Sequence, residues 1–573
     1  MNNIEVAIVL EEIGDLLEIL GESSFRFNAY HNAARIIGSF PREVSDVRKT
    51  KPGLTSIQGI GKGLAERIEE LLDTSRMSYF EELKAKLPKS LIEIMHIQGV
   101  GPRKAKLVYD MLAIESVEEL YQAALGHRLR DLPGMGAKSE ANILRGIQLH
   151  EQQLSRLLLN QAVPTAEAII KYLKALPEVV DAAPAGSLRR WQETIGDMDI
   201  LVGTPNAKKV GEAFCHMDVV ANILAQGDTK CSVLLGSGLQ MDLRMVDPDQ
   251  FGAALQYFTG SKAHNIHLRE LARKKGLKIS EYGVFETKTG KLLASRTEEE
   301  VYAAIGLPYI EPTLREDGGE IEAAAENKLP ELVRLADIKG DLHCHTNASD
   351  GQSTLPEMVE FARSLGYDYL VVSDHAEKLK IARGLDAERL EAQWQSIAEL
   401  NASPQDFHIF TGSEMNIDNN GDVDWDDEFL ARFDFLSASI HTGFGQERDT
   451  ITKRVVTAMQ NPRVRMICHP TGRVLGRRPA YAIDMPQVFE AAADTGTLLE
   501  LSAFPDRLDL NAENLREAAR YGVKFAINTD AHHFGQLAYM LYGVMTAQRG
   551  WLEPESVVNT YSLARLRKFL AKT

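Results

Sequence analysis

The sequence predicts a multidomain protein with an α-helical N-terminal region, an α+β middle and a C-terminal α/β barrel. Three observations predict it. The pattern apolar-x-Gly-apolar-Gly occurs at Ile57-Gln58-Gly59-Ile60-Gly61, Ile97-Gln98-Gly99-Val100-Gly101 and Leu132-Pro133-Gly134-Met135-Gly136, each time leading into a segment with helical apolar spacing. From about residue 179 short β-rich runs take over: 179–183, 197–202 and 231–235. Beyond a polar stretch at 312–330, short apolar runs (369–373, 408–412, 433–439, 464–468, 497–501, 523–528) alternate with amphipathic helical stretches, the rhythm of a parallel α/β arrangement.

At 573 residues the chain has room for about four domains. A content of 44% hydrophobic and 25% charged residues belongs to a soluble globular protein. No apolar run reaches the ~18 residues of a membrane helix. Met1-Asn2-Asn3-Ile4-Glu5 lacks the basic start of a secretory signal, and Cys215, Cys231, Cys344 and Cys468 form no CxxC. A membrane protein, a disulfide-stapled secreted protein and a disordered chain are thereby disfavoured, and a cytoplasmic location is expected. The net charge of -17 is unevenly spread: Lys+Arg against Asp+Glu is 19 to 22 in 1–153, 19 to 19 in 154–315 and 26 to 40 in 316–573. The first two stretches stay open to a polyanion, whereas the last can concentrate carboxylates around cations.

A glycine doublet ahead of a helix exposes backbone N–H groups at the positive end of the helix dipole, where a phosphate can approach. One copy is as readily an ordinary turn between helices. No strand precedes these glycines, which excludes a dinucleotide-binding βαβ unit. Three copies with the same apolar frame resemble the helix-hairpin-helix motif, which grips the DNA backbone without reading sequence. The resemblance assigns Gly59, Gly61, Gly99, Gly101, Gly134 and Gly136 to DNA binding.

In the middle region, Asp197 and Asp199 are two apart at the start of an apolar run, so both carboxylates share one face of a strand. Asp242 lies in a second β-like run, 239–245. Three converging carboxylates can hold two divalent cations, which would activate a 3′-hydroxyl and stabilise a pyrophosphate leaving group. Gly186-Ser187-Leu188-Arg189-Arg190, shortly before Gly196-Asp197, resembles the nucleotidyltransferase signature of family X DNA polymerases related to polymerase beta, and Tyr257-Phe258-Thr259-Gly260-Ser261 resembles that family's YFTGS segment. The resemblance covers roughly 1–315. It implies catalytic metal ligands at Asp197, Asp199 and Asp242, with Mg or Mn as the metal. It further implies nucleotide contacts at Ser187, Arg190, Gly196, Tyr257, Phe258, Thr259, Gly260, Asn265 and Arg269, and 5′-phosphate contacts at Arg26 and Tyr30. Three positions depart from polymerase beta: Trp191 replaces a glycine, Lys262 an aspartate, and Arg67 the lysine that forms a Schiff base in deoxyribose-phosphate removal. Arginine stays protonated and cannot be that nucleophile. Lys62 is the nearest alternative amine.

The C-terminal region begins with Asp341-Leu342-His343-Cys344-His345, followed by Asp350, His375, Glu414, His441, His469, Asp530 and His532. Most of these end an apolar run, and in a βα-barrel the C-terminal strand ends converge on one face. Nine N/O donors suit two or three ions. The pattern resembles the PHP (polymerase and histidinol phosphatase) family. That resemblance implies one metal on His343, His345, Glu414 and Asp530, a second on Glu414, His441 and His469, and a third on Asp350, His375 and His532. Zn, Mn and Fe all suit imidazole with carboxylate. His533 is expected outside the set, and Arg473 and Arg477 are expected to clamp the phosphate.

These resemblances imply an 8-kDa-like helical domain over 1–90, fingers with two helix-hairpin-helix motifs over 91–153, a nucleotidyltransferase palm over 154–250 and a thumb over 251–315. A linker follows over 316–336, then a distorted TIM-like PHP domain over 337–573. The function implied is gap-filling DNA synthesis in repair with a metal-dependent 3′-5′ exonuclease, to which AP endonuclease or 3′-phosphatase activity is a further expectation. Gapped or primed DNA and dNTPs are the expected partners of a monomer with no membrane attachment. Two alternatives stand beside this: a PHP region that acts on small phosphate monoesters, or a gapped-DNA scaffold with weak catalysis.

Overall fold

The computed structural model describes residues 3–571 apart from 39–43, 50, 58, 75, 89, 98, 155, 237 and 403–406, so Gln58 and Gln98 of the first two hairpins lie outside the described residues. The chain forms two compact units, Met1–Leu154 with Gly476–Arg478, and Ser155–Leu475 with Pro479–Thr573. Among the described residues no helix is long and apolar enough to cross a membrane.

The first unit is all helical around one apolar core. Its three glycine hairpins are copies in geometry as well as in sequence. Gly59, Gly99 and Gly134 take φ of +92°, +91° and +74°, a region that favours glycine. In each, the following apolar residue closes the same turn: Ile60 N–H donates to Ile57 O at 3.0 Å, Val100 N–H to Ile97 O at 2.9 Å and Met135 N–H to Leu132 O at 3.0 Å. Ile60, Val100 and Met135 are buried, which pins each hairpin to the core and leaves its glycines at the start of the helices Lys62–Thr74, Gly101–Leu112 and Ala137–Leu154.

The second unit opens with a five-stranded sheet: β1 (Asp181–Pro184), β2 (Asp197–Gly203), β3 (Val220–Gln226), β4 (Lys230–Leu235) and β5 (Gln240–Val246), in the order β1-β2-β5-β4-β3. Only β2 and β5 run parallel. A smaller antiparallel sheet follows, β6 (Leu277–Ser280), β7 (Gly283–Glu286) and β8 (Leu292–Ala294). The stretch 316–336, expected as a linker on composition, is built into the fold instead. It carries a helix, Glu320–Ala325, whose Glu320 is fully buried, faces His264 Nδ1 at 2.6 Å and accepts from the N–H groups of Asp317 and Gly318. One acid of the stretch is thus satisfied inside the protein, which composition alone does not reveal, while Glu322, Glu326, Lys328 and Glu331 stay exposed.

Seven parallel strands then run in sequence order: β9 (Gly340–Cys344), β10 (Tyr369–Val372), β11 (His408–Asn416), β12 (Phe435–Ser439), β13 (Val464–Ile467), β14 (Leu498–Ser502) and β15 (Phe525–Asn528). Six match the apolar runs, and β9 adds a strand that those runs did not include. β9, β10, β12, β14 and β15 are buried along their whole length, as strands flanked by helices must be. The barrel nearly closes where Cys344 bridges Ala531, with His345 N–H donating to Ala531 O at 2.8 Å. At the other end of this seam the buried Asn559 amide donates to Gly340 O at 2.9 Å and Ile527 O at 2.7 Å, while its oxygen accepts from Ile527 N–H. The five-stranded sheet and the barrel share a core: Leu508 and Tyr542 pack among Leu188, Ile195 and Met198.

Candidate active sites

In the five-stranded sheet, Asp199 on β2 stands in register opposite Asp242 on β5, and Asp197 opposite Gln240. Alternation along β2 places Asp197 and Asp199 on one face, over the start of the short helix Gly186–Arg189. Gly186 takes φ +57°, and a Cβ there would run into Asp199 Oδ2, so only glycine lets Ser187 approach the carboxylates. Burial and the charges of Asp197 and Asp242 push the Asp199 carboxyl up to about 6. Burial also works against Asp242, but the Lys230 ammonium at 2.5 Å and hydrogen bonds from Ser232 and Gln240 hold it below the usual range. The three acids are adjacent but not drawn into one tight group. A divalent cation would relieve this crowding of carboxylates, so the donor set fits hard cations.

The residues expected at the nucleotide divide into two groups. Ser187 is the second residue of the helix Gly186–Arg189, and Gly196 directly precedes β2. Tyr257, Phe258 and Thr259 end the helix Phe251–Thr259, with the two rings edge-to-face at 5.2 Å and the Arg244 guanidinium over Phe258. Gly260, at φ +72°, turns the chain into the helix Lys262–Lys274. The others are occupied within the protein. Arg190 donates from Nη1 to Thr259 O at 2.5 Å and from Nε to Glu316 Oε1 at 2.9 Å. The expected base-facing Asn265 is buried, its amide donating to Tyr257 O and its oxygen accepting from Gln256. Arg269 Nε donates to Asn265 O. Sequence reasoning missed the ion network behind this region, in which Glu298 accepts from both Arg189 and the fully buried Arg315. Trp191, expected to stand in place of a glycine of polymerase beta, takes φ +54°, a glycine-like backbone, and sets its ring 6.4 Å from Tyr542.

The barrel brings all nine expected donors to one end. His343 and His345 project from β9 and the residue after it, Glu414 from β11, and His441 and His469 follow β12 and β13. Asp530 and His532 follow β15. Ligand atoms of His345, Asp350, His375 and His532 lie within 4.8 Å of one another, as do those of His343, His345 and Asp530, and those of His375, Glu414 and His441. His469 Nε2 stands 3.1 Å from Glu414 Oε1. The grouping departs from expectation: His345 also joins Asp350, His375 and His532, His343 also groups with Cys468 and Glu500, and His375 approaches Glu414 at 3.0 Å as well as Asp350 at 3.7 Å. Burial works against the Glu414 carboxylate, yet the imidazoles of His375, His441 and His343 hold it well below its ordinary range. Burial pushes His375 down to about 3. The set fits metal ions. The Nδ1 of His345 is buried without a hydrogen-bond partner, and the Nε2 atoms of His343 and His345 meet at 3.1 Å beside Asp530 and Glu414.

Glu500 is a functional candidate that motif reading passed over. Fully buried on β14, it faces His343 Nδ1 at 2.7 Å and accepts from His469 N–H at 2.6 Å. A carboxylate on Nδ1 fixes the tautomer that leaves Nε2 as a donor to metal. The available signal was one acid in the apolar run Leu498-Leu499-Glu500-Leu501. His533 caps the turn Phe534–Tyr539 and stays outside the donor set. Arg473, expected at the phosphate, instead forms a two-pronged pair with Glu193 at 3.0 and 2.7 Å. Arg477 falls in the segment that clusters with the first unit.

In that first unit Arg26 donates to Tyr79 OH at 2.8 Å, and the Arg67 guanidinium lies 3.9 Å over the Tyr79 ring. Tyr30, expected at a 5′-phosphate, is buried against Tyr79.

Four domain families match the chain: a helix-hairpin-helix domain at 1–77, a SAM-like helix-hairpin-helix tandem at 91–148, the DNA polymerase beta thumb at 254–316 and the PHP domain at 341–496. The chain is 38% identical over 574 residues to the DNA polymerase/3′-5′ exonuclease PolX of Bacillus subtilis (strain 168), with 100% of both chains covered. It belongs to the family X DNA polymerases with a C-terminal PHP domain. Within this family X frame β6–β8 lie in the thumb and the barrel is the PHP domain, while the five-stranded sheet stands where the palm is expected. DNA polymerase lambda of Rattus norvegicus is 24% identical over 344 residues, 55% of this chain and 56% of the relative. A probable phosphatase of Syntrophotalea carbinolica is 30% identical over 229 residues, 38% of this chain and 90% of the relative.

Proposed function

We propose that this family X chain extends primer ends at short DNA gaps with dNTPs and removes nucleotides from 3′ ends at a separate PHP site. The observation that carries the reading is the presence of two separate donor sets, each at strand ends, in one chain matched end to end with a polymerase/exonuclease.

In the palm, Asp197, Asp199 and Asp242 would hold Mg or Mn, and Ser187 with Gly186 would seat the triphosphate at the helix start. Arg190 would serve the nucleotide by fixing the Thr259–Gly260 turn, since its guanidinium is committed there. Tyr257 and Phe258 present the sugar-facing surface. Asn265 and Arg269 would act on base and template only after exchanging their present partners. In the barrel, the nine donors would hold two or three Zn, Mn or Fe ions. Bound ions supply Lewis-acid polarisation of the phosphate and neutralise charge developing on it. Glu500 holds the His343 ring, and the part-exposed His441, Asp350 and His532 leave the set open to the phosphate and to the water that hydrolysis consumes. The glycine hairpins would grip DNA backbone through exposed N–H groups, with Arg26 near the 5′ end. Arg67 cannot supply a Schiff base, so little adduct is expected on borohydride trapping with a 5′-deoxyribose-phosphate end. We place the protein in the cytoplasm as a monomer.

The test is a labelled primer on gapped DNA, offered with and without dNTPs, beside a small phosphate monoester. Extension with dNTPs and shortening without them support the reading. Turnover of the monoester alone would favour the small-molecule phosphatase, and binding with no turnover the scaffold.

A further inference from the structure

With Arg473 occupied by Glu193, the catalytic face of the barrel lacks its expected phosphate clamp. Another guanidinium stands there, ion-paired but not hydrogen-bonded. Arg507 follows β14, and its Nε lies 3.6 Å from Asp530 Oδ2 with only 24% of the side chain exposed. Among the described residues its guanidinium donates no hydrogen bond to protein, whereas Arg473 and Arg549 are taken up by Glu193 and by Glu316 with Arg190 O. The carboxylates of Asp530, Asp506, Glu414 and Asp509 favour its charge, Asp530 at ion-pair range, while its planar donors keep no hydrogen bond and stay free to take the paired oxygens of an anion.

The turn that presents Arg507 is fixed from two sides. On the barrel side, Phe504 O accepts from Arg507 and Leu508 N–H at 2.8 and 3.0 Å, Ser502 N–H donates to Asp509 O at 2.6 Å, and Asp509 Oδ2 accepts from Thr471 N–H at 2.9 Å. On the palm side, Leu508 takes φ +43° and is fully buried in the palm core with Leu188 and Tyr542, against which Trp191 also packs. Arg473 joins the two sides, donating to Leu508 O while it pairs with Glu193.

We propose that Arg507 binds the non-bridging oxygens of the phosphodiester at the PHP site, and that the palm, through Leu508, Trp191 and Glu193, positions the turn that presents it. This rests on the nuclease reading above. The planar fork of Arg suits two oxygens of one phosphate, which a lysine cannot match. The palm is thus a positioning element of the nuclease as well as the seat of polymerisation.

The experiment uses the full chain as wild type, Arg507→Ala, Arg507→Lys and Glu193→Gln. Expected for Arg507→Ala is a loss of about 10²-fold in kcat/KM on a 3′-labelled single strand, typical of removing one preorganised donor. Its metal content per chain and melting temperature should match wild type. Arg507→Lys should recover part of the loss, and Glu193→Gln should fall in the same direction by less. A second readout needs no turnover. In the wild-type chain, phenylglyoxal modification of Arg507, followed by peptide mass spectrometry, should be slowed several-fold by inorganic phosphate.

Digestion by Arg507→Ala within about twofold of wild type would overturn the proposal. So would a loss of bound metal that parallels the loss of activity, or modification that phosphate leaves unchanged. Wild type in Glu193→Gln would remove the palm's part. If wild type itself released no nucleotides, the nuclease reading would fail, and the phosphate-protection result would still decide the role of Arg507.

Discussion

In the palm, Asp197 lies exposed at the first residue of β2, Asp242 is paired with Lys230, and Asp199 crowds between them. In the barrel, His343, His345 and Glu414 are buried, and further carboxylates stand behind or beside the imidazoles. One set is open and electrostatically strained; the other is enclosed and supported from a second layer. An open set of oxygen donors exchanges cations readily and completes itself with the substrate's own phosphates. An enclosed imidazole set retains its ions between turnovers. The difference therefore predicts two enzymes in one chain with different metal economies.

The sharpest break of this comparison is to empty one site while sparing the other. Asp197→Ala with Asp199→Ala should reduce nucleotide addition on gapped DNA by more than about 10³-fold, with 3′ digestion retained. Extension that survives in this double variant would refute the palm assignment. Next in size, His343→Ala with His345→Ala should remove 3′ digestion and lower metal content measured by mass spectrometry, while extension survives; digestion that persists would place the nuclease elsewhere. A third test sharpens the contrast in retention. After brief chelation and desalting, addition of Mg should restore extension at once, whereas digestion should persist through the treatment or return slowly. Equal and immediate recovery of both would dissolve the distinction.

The smallest effect concerns stability. Burial raises the folded-state pKa of Asp199 to about 6, above its unfolded value, so its charge opposes folding above that pH. In chelator, Asp199→Asn should stabilise the palm by about 1 kcal/mol, or roughly 2–4 °C in Tm. This gain should shrink as pH falls from 7 through 6 towards 4, where the native carboxyl is protonated and no longer opposes folding. Calorimetry at several pH values reads the trend, and a gain that grew on acidification would be wrong in sign.

Sequence patterns gave away what repeats or clusters by residue type. The three hairpins could be read because the first glycine of each needs positive φ, which leaves a fixed mark. The clustering of the barrel histidines and acids could be read because such residues at the ends of apolar runs converge on one face of a βα-barrel. What stayed hidden depends on partners distant in sequence. Arg473 looked like a phosphate ligand until Glu193, 280 residues earlier, took both of its arms. Asn265 looked base-facing until Gln256 and Tyr257 claimed its amide. Glu320 looked like linker until His264 met it inside the core. Glu500 carried only the faint signal of one charge in a buried strand. Trp191 appeared as a departure from family pattern, yet its backbone keeps the glycine-like φ, and its ring packs against the PHP domain.

The Asn559 clasp has a consequence for biosynthesis. A ribosome delivers the glycine hairpins long before it delivers Asn559, and helical segments with local contacts need nothing downstream to fold. The barrel is the reverse case: the edges of β9 and β15 meet through a carboxamide translated after every strand it joins. Until then the edge of β9 is an unpaired row of backbone groups on a nascent chain, the kind of edge that recruits wrong partners. The order of synthesis thus completes the DNA-gripping helices first and the hydrolytic barrel last.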